Sequence, residues 1–524
     1  MSKRSVLVFL ILVVMGMGMV VYAVLPVQTT TENTKDIKFG GIYKVPVETI
    51  SKDYNPRNVV WMHDKMVLYL LYEPLIRGAS NLSPRPAVCE NWSYGKDAKY
   101  FDCKIRKGIF FHDGKELGIK DVIFSLNYIL SKGGLDIEDY SFIEGIQDYW
   151  DGKSDKIKGI YAMPENKIRF EFTRSVPSFV PLLANQRIVV LPENLNHQTE
   201  ADFFSKPIGS GPFEFSYRTE KVRFVANRDY YLGRPYLDGV DIIPMTSQEA
   251  IESFNLGIVN TLINYDNIEH LINNEDALFV PTKTKTTLYI YPNNSLKPFK
   301  NKRYRELLYS LVDKGSTIQA CHSGNINTDS VIPSDVAGHI KKDLSRIYSI
   351  ENARKIVREL KEKNETIEPV EILYVGNNIQ SCIAKVVNNI FKNEGVPWSM
   401  VEIDSHDLIE LFYDGKITAY MDGIALKNAD AYSILRYFLS NNKENLTRIK
   451  DERLDQMIMT SRTIEDLYSK SKIYERINER IIDNAYVIPL CEVNNVLVYD
   501  KRVNIYEGSL EDGYYLNLAK VWLE

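Results

Sequence analysis

From Ile37 onward, apolar and polar residues alternate along the chain with two different periods. Stretches with an apolar residue every three to four positions predict helices, and short alternating or continuously apolar runs predict strands. The helical pattern covers 64–72, 121–130, 304–312 and 351–360, and the strand pattern covers 101–105, 372–375 and 487–490. Asp121 stands where a side-chain cap would begin the second of these helices. The mixture of periods predicts an α/β or α+β fold rather than a helical bundle or a β-sandwich.

The amino terminus has the pattern of an export signal. Lys3 and Arg4 precede an apolar run over 6–20, and a small residue, Ala23, stands at the expected cleavage site. We expect residues 1–23 to be a signal peptide. The alternative is an uncleaved anchor, because apolar residues continue to Leu25 and reach about 20 in number, the length that spans a bilayer. Both interpretations place the body of the protein outside the inner membrane.

Composition limits the classes of protein to which the chain can belong. The 524 residues predict two to four domains. With 64 basic and 69 acidic residues the net charge is −5, which gives no general electrostatic attraction to nucleic acid. Charged residues make up 25% and hydrophobic residues 44%, the composition of an ordinary globular protein. The 33 Tyr and five Trp supply side chains suited to wet binding clefts.

The five cysteines contain no C-x-x-C pair and the seven histidines are scattered. A zinc site built from neighbouring ligands is therefore not expected, and we predict neither a metal nor a cofactor. Cys89 and Cys103 are close enough in sequence to lie on paired strands, where a disulfide would form in an oxidising compartment. The interpretation we favour is that all five cysteines are buried small hydrophobic residues.

The common catalytic motifs are missing from the sequence. It contains no H-E-x-x-H, G-x-S-x-G or G-x-G-x-x-G pattern, and the segment ending at Gly152-Lys153-Ser154 lacks the earlier glycine of a phosphate-binding loop. Carboxylates are plentiful, but a catalytic pair is defined by geometry rather than by sequence. We predict that the protein is not an enzyme.

A series of short blocks, in fixed order, carries a resemblance to a known family. The blocks are YEPL (72–75), PAVCENW (86–92), CKIRKG (103–108), FHDG (111–114), DVIFS (121–125), IGSGPF (208–213), NRDYY (227–231), PF (298–299) and IPL (488–490). Over about residues 40–515 the chain resembles the family-5 extracellular solute-binding proteins, the oligopeptide, dipeptide and nickel binding components of ABC importers. Most of the blocks are structural, and Gly108, Gly114 and Gly211 are expected to permit turns.

The resemblance implies an α/β periplasmic binding protein with two lobes built from three domains, whose mixed β-sheets are flanked by helices. The predicted ranges are 24–72, 186–285 and 489–524 for a discontinuous first domain, 73–185 for the second, inserted domain, and 286–488 for the third. The ligand would bind in the cleft, and the lobes would close around it by hinge motion.

The function implied is capture of a peptide or peptide-like solute in the periplasm and its delivery to a membrane permease with cytoplasmic ATPase subunits. The family also implies a monomer. Because closure excludes water, a few polar contacts inside the cleft would discriminate strongly between solutes.

One segment departs from the pattern of the peptide-binding members. They resemble G-x-F-D-x-x-x-x-G-W-x-x-D-x-x-D-P, in which the Asp after the Trp holds the peptide ammonium. In this sequence Ile424 occupies the motif position of the Trp, and Lys427 occupies the position of that Asp. If Lys427 faces the cleft, it repels an ammonium by about 4 kcal/mol at intermediate dielectric and favours an anionic ligand. The alternative is that Lys427 extends to solvent. Asp430 is either a replacement anchor or a loop-ordering residue, and Tyr432 follows it as a further ligand candidate.

Other cleft candidates come from loops that follow strands or precede helices. Trp61 and His63 lie near the start of the first predicted helix, where the resemblance places a ligand-lining loop. Tyr291 and Asn294 fall where the chain crosses into the third domain, and Asn377 follows a strand. For each of them, turn formation or core packing is an equally good interpretation.

Two other functions stay open at this point, besides a chaperone or adhesion role for a scaffold that has lost transport. One is the same binding role for a non-peptide, anionic ligand held by Lys427. The other is an exported hydrolase that uses two carboxylates in the cleft, which would require paired Asp or Glu side chains facing each other there.

Overall fold

The computed structural model describes residues 37–59, 62–78, 84–132, 137–263, 272, 275–321, 326–342, 344, 348–376, 378–426, 430–464, 466–505, 510–511 and 515–524. The proposed signal peptide lies outside the described residues. The strands are β1 Ile42–Val47, β2 Ile76–Arg77, β3 Arg85–Pro86, β4 Cys89–Tyr94, β5 Tyr100–Ile105, β6 Ile160–Met163, β7 Lys167–Glu171, β8 Phe213–Arg218, β9 Val222–Ala226, β10 Gly239–Pro244, β11 Thr261–Leu262, β12 Ala277–Pro292, β13 Ile326–Asn327, β14 Val370–Val375, β15 Trp398–Ile403, β16 Ala419–Ala425, β17 Ile488–Asp500, β18 Val503–Ile505, β19 Leu510–Glu511, β20 Tyr515–Leu516 and β21 Val521–Leu523.

The α-helices are α1 Met62–Leu71, α2 Ile119–Ile129, α3 Ile146–Trp150, α4 Val180–Leu183, α5 Glu200–Ser205, α6 Ser247–Asn255, α7 Lys302–Leu311, α8 Lys314–Cys321, α9 Ile350–Glu362, α10 Asn378–Asn393, α11 Ser405–Tyr413, α12 Tyr432–Leu435, α13 Glu452–Ser461 and α14 Leu467–Asp483. The four helices predicted from the apolar spacing correspond to α1, α2, α7 and α9, and the three predicted strands to β5, β14 and the start of β17. The α/β prediction is therefore confirmed.

Two large hydrophobic cores define two lobes. The core of the first lobe draws its buried residues from 43–242 and 497–521, and that of the second lobe from 288–491. The first lobe holds two four-stranded sheets, ordered β1-β10-β9-β8 and β4-β5-β7-β6. The second lobe holds most of a seven-stranded sheet, ordered β11-β17-β12-β16-β14-β15, with β13 on β17. The division of the first lobe into two domains stays a prediction.

Two long antiparallel strands join the lobes. β12 and β17 pair from Ala277 opposite Asp500 to Ile290 opposite Ile488. The pairing shifts register between Lys283 and Thr286 and again at Leu288. Register shifts of this kind bend a strand and increase its local twist. The chain therefore crosses between the lobes on a bent two-stranded connection, and β17 extends well beyond the short buried strand that its sequence predicted.

Asp121 occupies a different place from the one its sequence suggested. Helix α2 begins at Ile119, so Asp121 is the third residue of its first turn rather than the residue before the helix. Its carboxylate accepts hydrogen bonds from the backbone N–H of Gly118 at 2.8 Å and of Glu193 at 2.7 Å. The prediction of an N-capping Asp is thus wrong in position, although the carboxylate does stabilise this helix end, since it accepts from otherwise unpaired N–H groups.

The IGSGPF block packs on the end of α1 through its glycines. A Cβ at Gly209 would lie 1.8 Å from the Leu71 carbonyl oxygen, and one at Gly211 would lie 2.4 Å from that of Leu70. Gly108 and Gly114 have positive φ, as expected for turns. Gly211 does not have a positive φ. Glycine is needed there because the two backbones approach too closely to leave room for a side chain, and not because of a turn conformation.

The imidazole of His112 is a structural link to the same block. Its Nδ1 accepts from the Gly209 N–H at 3.2 Å, and Nε2 lies 3.0 Å from the Gly211 carbonyl oxygen, to which it donates. Burial lowers the pKa of His112 to about 4, because the charged imidazolium is poorly solvated there. The ring is therefore neutral at physiological pH.

We expect the free energy of unfolding to fall by about 2–3 kcal/mol as the pH drops from about 6.5 to about 4. His112 has a lower pKa in the folded protein than in the unfolded chain. Its contribution is therefore complete above the unfolded pKa and is lost as the pH approaches the folded one. Urea unfolding followed by circular dichroism at several pH values measures this slope. The His112→Gln variant should show a flatter profile; an identical slope in both proteins would contradict the assignment.

Candidate functional site

A small cavity lies where the two lobes touch. Its volume is about 50 Å³, and we call it the seam cavity. Residues of both lobes form its wall: Asp139, Phe142, Arg174, Val176, Pro177, Ser178 and Leu182 from the first lobe, and Asp430, Tyr432, Ser433, Arg462, Lys470 and Tyr474 from the second. Because the wall is shared, movement of one lobe relative to the other would open or close this space.

Asp430 forms the centre of a buried polar network on the second-lobe side. Its carboxylate accepts from Lys470 Nζ at 2.6 Å, from the Tyr432 backbone N–H at 3.0 Å and from the Tyr474 hydroxyl. Burial by itself would raise the pKa of Asp430, but the charge of Lys470 and these hydrogen bonds outweigh it and lower the pKa below its ordinary value. The carboxylate is therefore ionised and engaged within the protein.

Two polar contacts cross from one lobe to the other beside the cavity. Lys470 Nζ donates to Ser178 Oγ at 2.6 Å, so the same ammonium group joins Asp430 to the first lobe. Arg436 Nη1 lies 3.2 Å from Asp139 Oδ1, and the Arg436 side chain is buried. Desolvated charge pairs of this kind depend strongly on their geometry. These contacts join the two lobes beside the seam cavity.

The structure places Asp430 and Tyr432 at the seam and Ile424 elsewhere in the second lobe. Tyr432 is half-buried, and the guanidinium of Arg462 lies 4.5 Å from the centre of its ring. Ile424 is half-buried on β16, opposite Thr287 of β12, and packs against the core of the second lobe. The sequence left two roles for Asp430, a replacement ligand anchor or a loop-ordering residue. Its hydrogen bonds within the protein fit the loop-ordering role.

Tyr291 and Asn294 contribute to the interior of the second lobe. The Tyr291 side chain is 1% exposed and stacks on Tyr420 with ring centres 4.8 Å apart. Asn294 Nδ2 donates to the backbone oxygens of Pro292, Thr447 and Tyr486 at 2.9, 3.1 and 3.2 Å. Both residues thus serve core packing and chain crossing in this structure, and a ligand role for them stays a prediction.

His63 lies in the first turn of α1, in the first lobe. Its Nε2 is 3.5 Å from Asp64 Oδ1, and burial lowers the pKa of the imidazole despite this neighbouring carboxylate. It does not line the seam cavity. Trp61, Asn377 and Lys427 lie outside the described residues, so their predicted ligand roles stay predictions.

Sequence reasoning missed the first-lobe side of the seam. Asp139, Arg174 and Ser178 belong to no motif, and Ser178 is separated from its partner Lys470 by 292 residues. Arg462 and Lys470 lie in an ordinary amphipathic region of the second lobe. No local signal marks these residues, because only the packing of the lobes brings them together.

A larger concavity, of about 620 Å³, lies wholly in the second lobe. Its buried Lys314 pairs with Asp329, which also accepts from the Tyr309 hydroxyl at 2.8 Å. Burial lowers the pKa of Lys314 to about 8, although Asp329 acts in the opposite direction. Because the first lobe contributes nothing to its wall, movement of one lobe relative to the other would not open or close this space.

Four cysteines form disulfides, and this corrects the interpretation that all five are free. Cys89 pairs with Cys103 between β4 and β5, and Cys321 at the end of α8 pairs with Cys382 in α10; both pairs have Cα atoms 5.6 Å apart. Cys491 is free and buried. The second pair joins residues 61 positions apart, a separation that gave no signal in the sequence.

In the part of the chain that the structure describes, no three His, Cys, Asp or Glu side chains come together as a metal site. Within the same residues, none of the helices has both the length and the apolar character needed to cross a bilayer.

Comparison with known families identifies the architecture. A family model described as "Bacterial extracellular solute-binding proteins, family 5 Middle" matches residues 83–445, a span that includes the first-lobe wall of the seam cavity and part of the second-lobe wall. The chain belongs to this family. The resemblance of the sequence blocks is thereby confirmed, and so is the two-lobed solute-binding fold.

Individual relatives are similar over nearly their full length. The oligopeptide-binding protein AppA of Bacillus subtilis is 25% identical over 489 residues, covering 87% of this chain and 86% of the relative. Heme-binding protein A of Haemophilus influenzae is 22% identical over 461 residues, covering 83% of each chain.

Two solved structures share the fold of this chain. The substrate-binding protein CtaP of Listeria monocytogenes superposes with a TM-score of 0.82 at 22% identity, over 93% of this chain and 100% of that one. AppA of B. subtilis, solved in complex with a nonapeptide, superposes with a TM-score of 0.74 at 22% identity, over 93% of this chain and 99% of that one.

Proposed function

We propose that this protein captures a peptide or peptide-like solute between its lobes and delivers it, unaltered, to the permease of an ABC importer. Membership of the solute-binding family supports the binding role, and the names of its relatives, including an oligopeptide-binding protein solved with a nonapeptide, support peptide as the solute class. The observation that carries the mechanism is the seam. Two lobes on a bent two-stranded connection meet through side chains that form hydrogen bonds and ion pairs only when the lobes are together.

The proposal includes the setting in which the protein works. The protein acts as a monomer in the periplasm, with a membrane permease and cytoplasmic ATPase subunits as partners. Its two disulfides suit an oxidising compartment outside the cytoplasm. If residues 1–23 are not cleaved, it stays tethered to the inner membrane.

Catalysis is not part of the proposed role. The two carboxylates that line the seam cavity, Asp430 and Asp139, are each ion-paired with a basic side chain. A carboxyl group whose pKa is lowered in this way is a poor general acid at neutral pH. The anionic-solute alternative of the sequence analysis rests on Lys427, which lies outside the described residues.

A peptide-capture experiment tests the proposal directly. Native mass spectrometry of the purified protein, with and without an equimolar pool of synthetic tri- to nonapeptides, should show a bound peptide and no cleaved product. Small-angle scattering should show compaction on binding. The Ser178→Ala variant removes the hydrogen bond from Lys470 across the seam, so its peptide affinity should fall about fivefold, equivalent to about 1 kcal/mol.

The control for this variant is Ser154→Ala, the same substitution on an exposed turn of the same lobe. Its affinity for the pool should match that of the wild type. Absence of any bound peptide, or release of peptide fragments, would refute the proposed function.

A further inference from the structure

Two arginine side chains from opposite lobes meet at the seam cavity. Arg174 of the first lobe lies 4.9 Å from the centre of the Phe142 ring, and Arg462 of the second lies 4.5 Å from that of Tyr432. Burial, together with the nearby charge of Arg462, lowers the pKa of Arg174 to about 10. Since both side chains line the same small cavity, their like charges repel each other.

Neither arginine is neutralised by the carboxylates around it. Among the described residues, no Asp or Glu lies within ion-pair distance of either guanidinium. Asp430 is bound to Lys470 and Tyr474, and Asp139 pairs with Arg436. Two partly desolvated cations without a counter-charge are unfavourable by themselves, and a bound anion would reverse this cost.

A buried hydroxyl group points to the same ligand chemistry. Ser433 is 4% exposed and lines the cavity, yet its Oγ has no hydrogen-bond partner among the described residues. An unsatisfied buried hydroxyl costs about 1–3 kcal/mol. Together with the two guanidinium groups, it supplies donors from both lobes to one oxygen-bearing group.

The size of the cavity limits what that group can be. Since one water-sized position takes roughly 10–15 Å³, a cavity of about 50 Å³ holds about four heavy atoms, those of a carboxylate with its neighbouring carbon. The planar guanidinium group matches a carboxylate with two parallel hydrogen bonds. We infer that the seam cavity binds a carboxylate group between Arg174 and Arg462, and that this anion holds the two lobes together.

The carboxylate has two sources, a free small ion or the captured solute itself. The first is tested without any solute, by thermal unfolding of the protein in sodium acetate against sodium chloride at equal ionic strength and neutral pH. Acetate should raise the Tm of the wild type by about 2–4 °C through preferential binding to the folded state. The Arg174→Gln/Arg462→Gln variant should show no such rise. Arg228→Gln, the same change at an exposed arginine, should behave like the wild type.

The second source is tested with peptides and rests on the proposed function. If acetate has no effect, amidation of the carboxylates in the peptide pool should weaken binding to the wild type about tenfold and leave binding to the double variant unchanged. The single variant Arg462→Gln provides a test that needs no ligand. In chloride its Tm should exceed that of the wild type, because the repulsion between the two guanidinium groups is removed.

The outcomes separate the two proposals. Stabilisation by acetate or sensitivity to amidation, lost in the double variant, supports the carboxylate site. Equal responses of the wild type and the double variant in both experiments overturn it, even if peptides bind and compact the protein. A Tm of Arg462→Gln at or below that of the wild type also counts against it.

Discussion

Replacement of Glu73 by alanine is expected to lower the free energy of unfolding by about 4 kcal/mol. The Glu73 side chain is completely buried, and its carboxylate accepts from Arg77 at 2.7 Å, Tyr231 at 2.9 Å and Tyr230 at 3.0 Å. Removing the carboxylate takes away the acceptor to which the buried Arg77 guanidinium and the two tyrosine hydroxyl groups donate. Loss of one partner of a buried pair costs more than the pair itself contributes, because the remaining charge is not solvated.

Urea unfolding monitored by circular dichroism measures this change, and Glu90→Ala is the matched control. Glu90 forms an ion pair with Lys104 at 3.4 Å in which both side chains are about two-fifths exposed, so its loss should cost less than about 1 kcal/mol. The double variant Glu73→Ala/Arg77→Met should recover part of the stability, since it also removes the buried charge that faced Glu73. Equal losses for Glu73→Ala and Glu90→Ala would show that the buried network is not the cause.

Removal of the Cys321–Cys382 disulfide should destabilise the protein by a similar amount, about 4 kcal/mol. This bond closes a loop between residues 61 positions apart, whereas Cys89–Cys103 spans 14. A cross-link restricts the unfolded chain more when the loop it closes is longer. Cys89–Cys103, which closes the shorter loop, should therefore contribute about 3 kcal/mol. Urea unfolding under non-reducing conditions of the Cys321→Ala/Cys382→Ala and Cys89→Ala/Cys103→Ala variants shows which disulfide contributes more to the free energy of unfolding.

Cys491→Ala controls for the loss of a buried sulfur, since this thiol is free and its removal leaves both disulfides in place. It should retain the wild-type response to reducing agent, whereas each double variant should lose part of that response. Titration of thiols in the denatured wild type should find one reactive group. Three or more would mean that a disulfide is missing, and a larger effect of the shorter loop would contradict the loop-length argument.

Much of the secondary structure follows from the local sequence. Helix α9 illustrates this, since its apolar residues recur at helical spacing and Ser349 caps its first turn by accepting from the Asn352 N–H. The position of Asp121 was misjudged by a few residues because a carboxylate stabilises a helix start from either of two places. The length of β17 could not be predicted, because half of that strand is defined by pairing with β12 after the chain leaves the second lobe.

The order of the sequence blocks led to the correct family, and the structure shows which contacts those blocks make. The YEPL and NRDYY blocks meet at Glu73, and the FHDG and IGSGPF blocks meet at His112. These contacts hold the first lobe together and lie away from the seam cavity. A resemblance carried by scaffold residues therefore identifies a fold and a general role, but it leaves the ligand contacts undetermined.

Local patterns in the sequence determined the helices, the strands and the scaffold blocks, because those features depend on residues a few positions apart or on motifs that stay together. Tertiary structure alone decided the rest. It placed Arg174 opposite Arg462, joined Lys470 to Ser178 and paired Cys321 with Cys382. Each of these contacts depends on how two separately packed elements meet, and neither periodicity nor composition carries that information across tens to hundreds of residues.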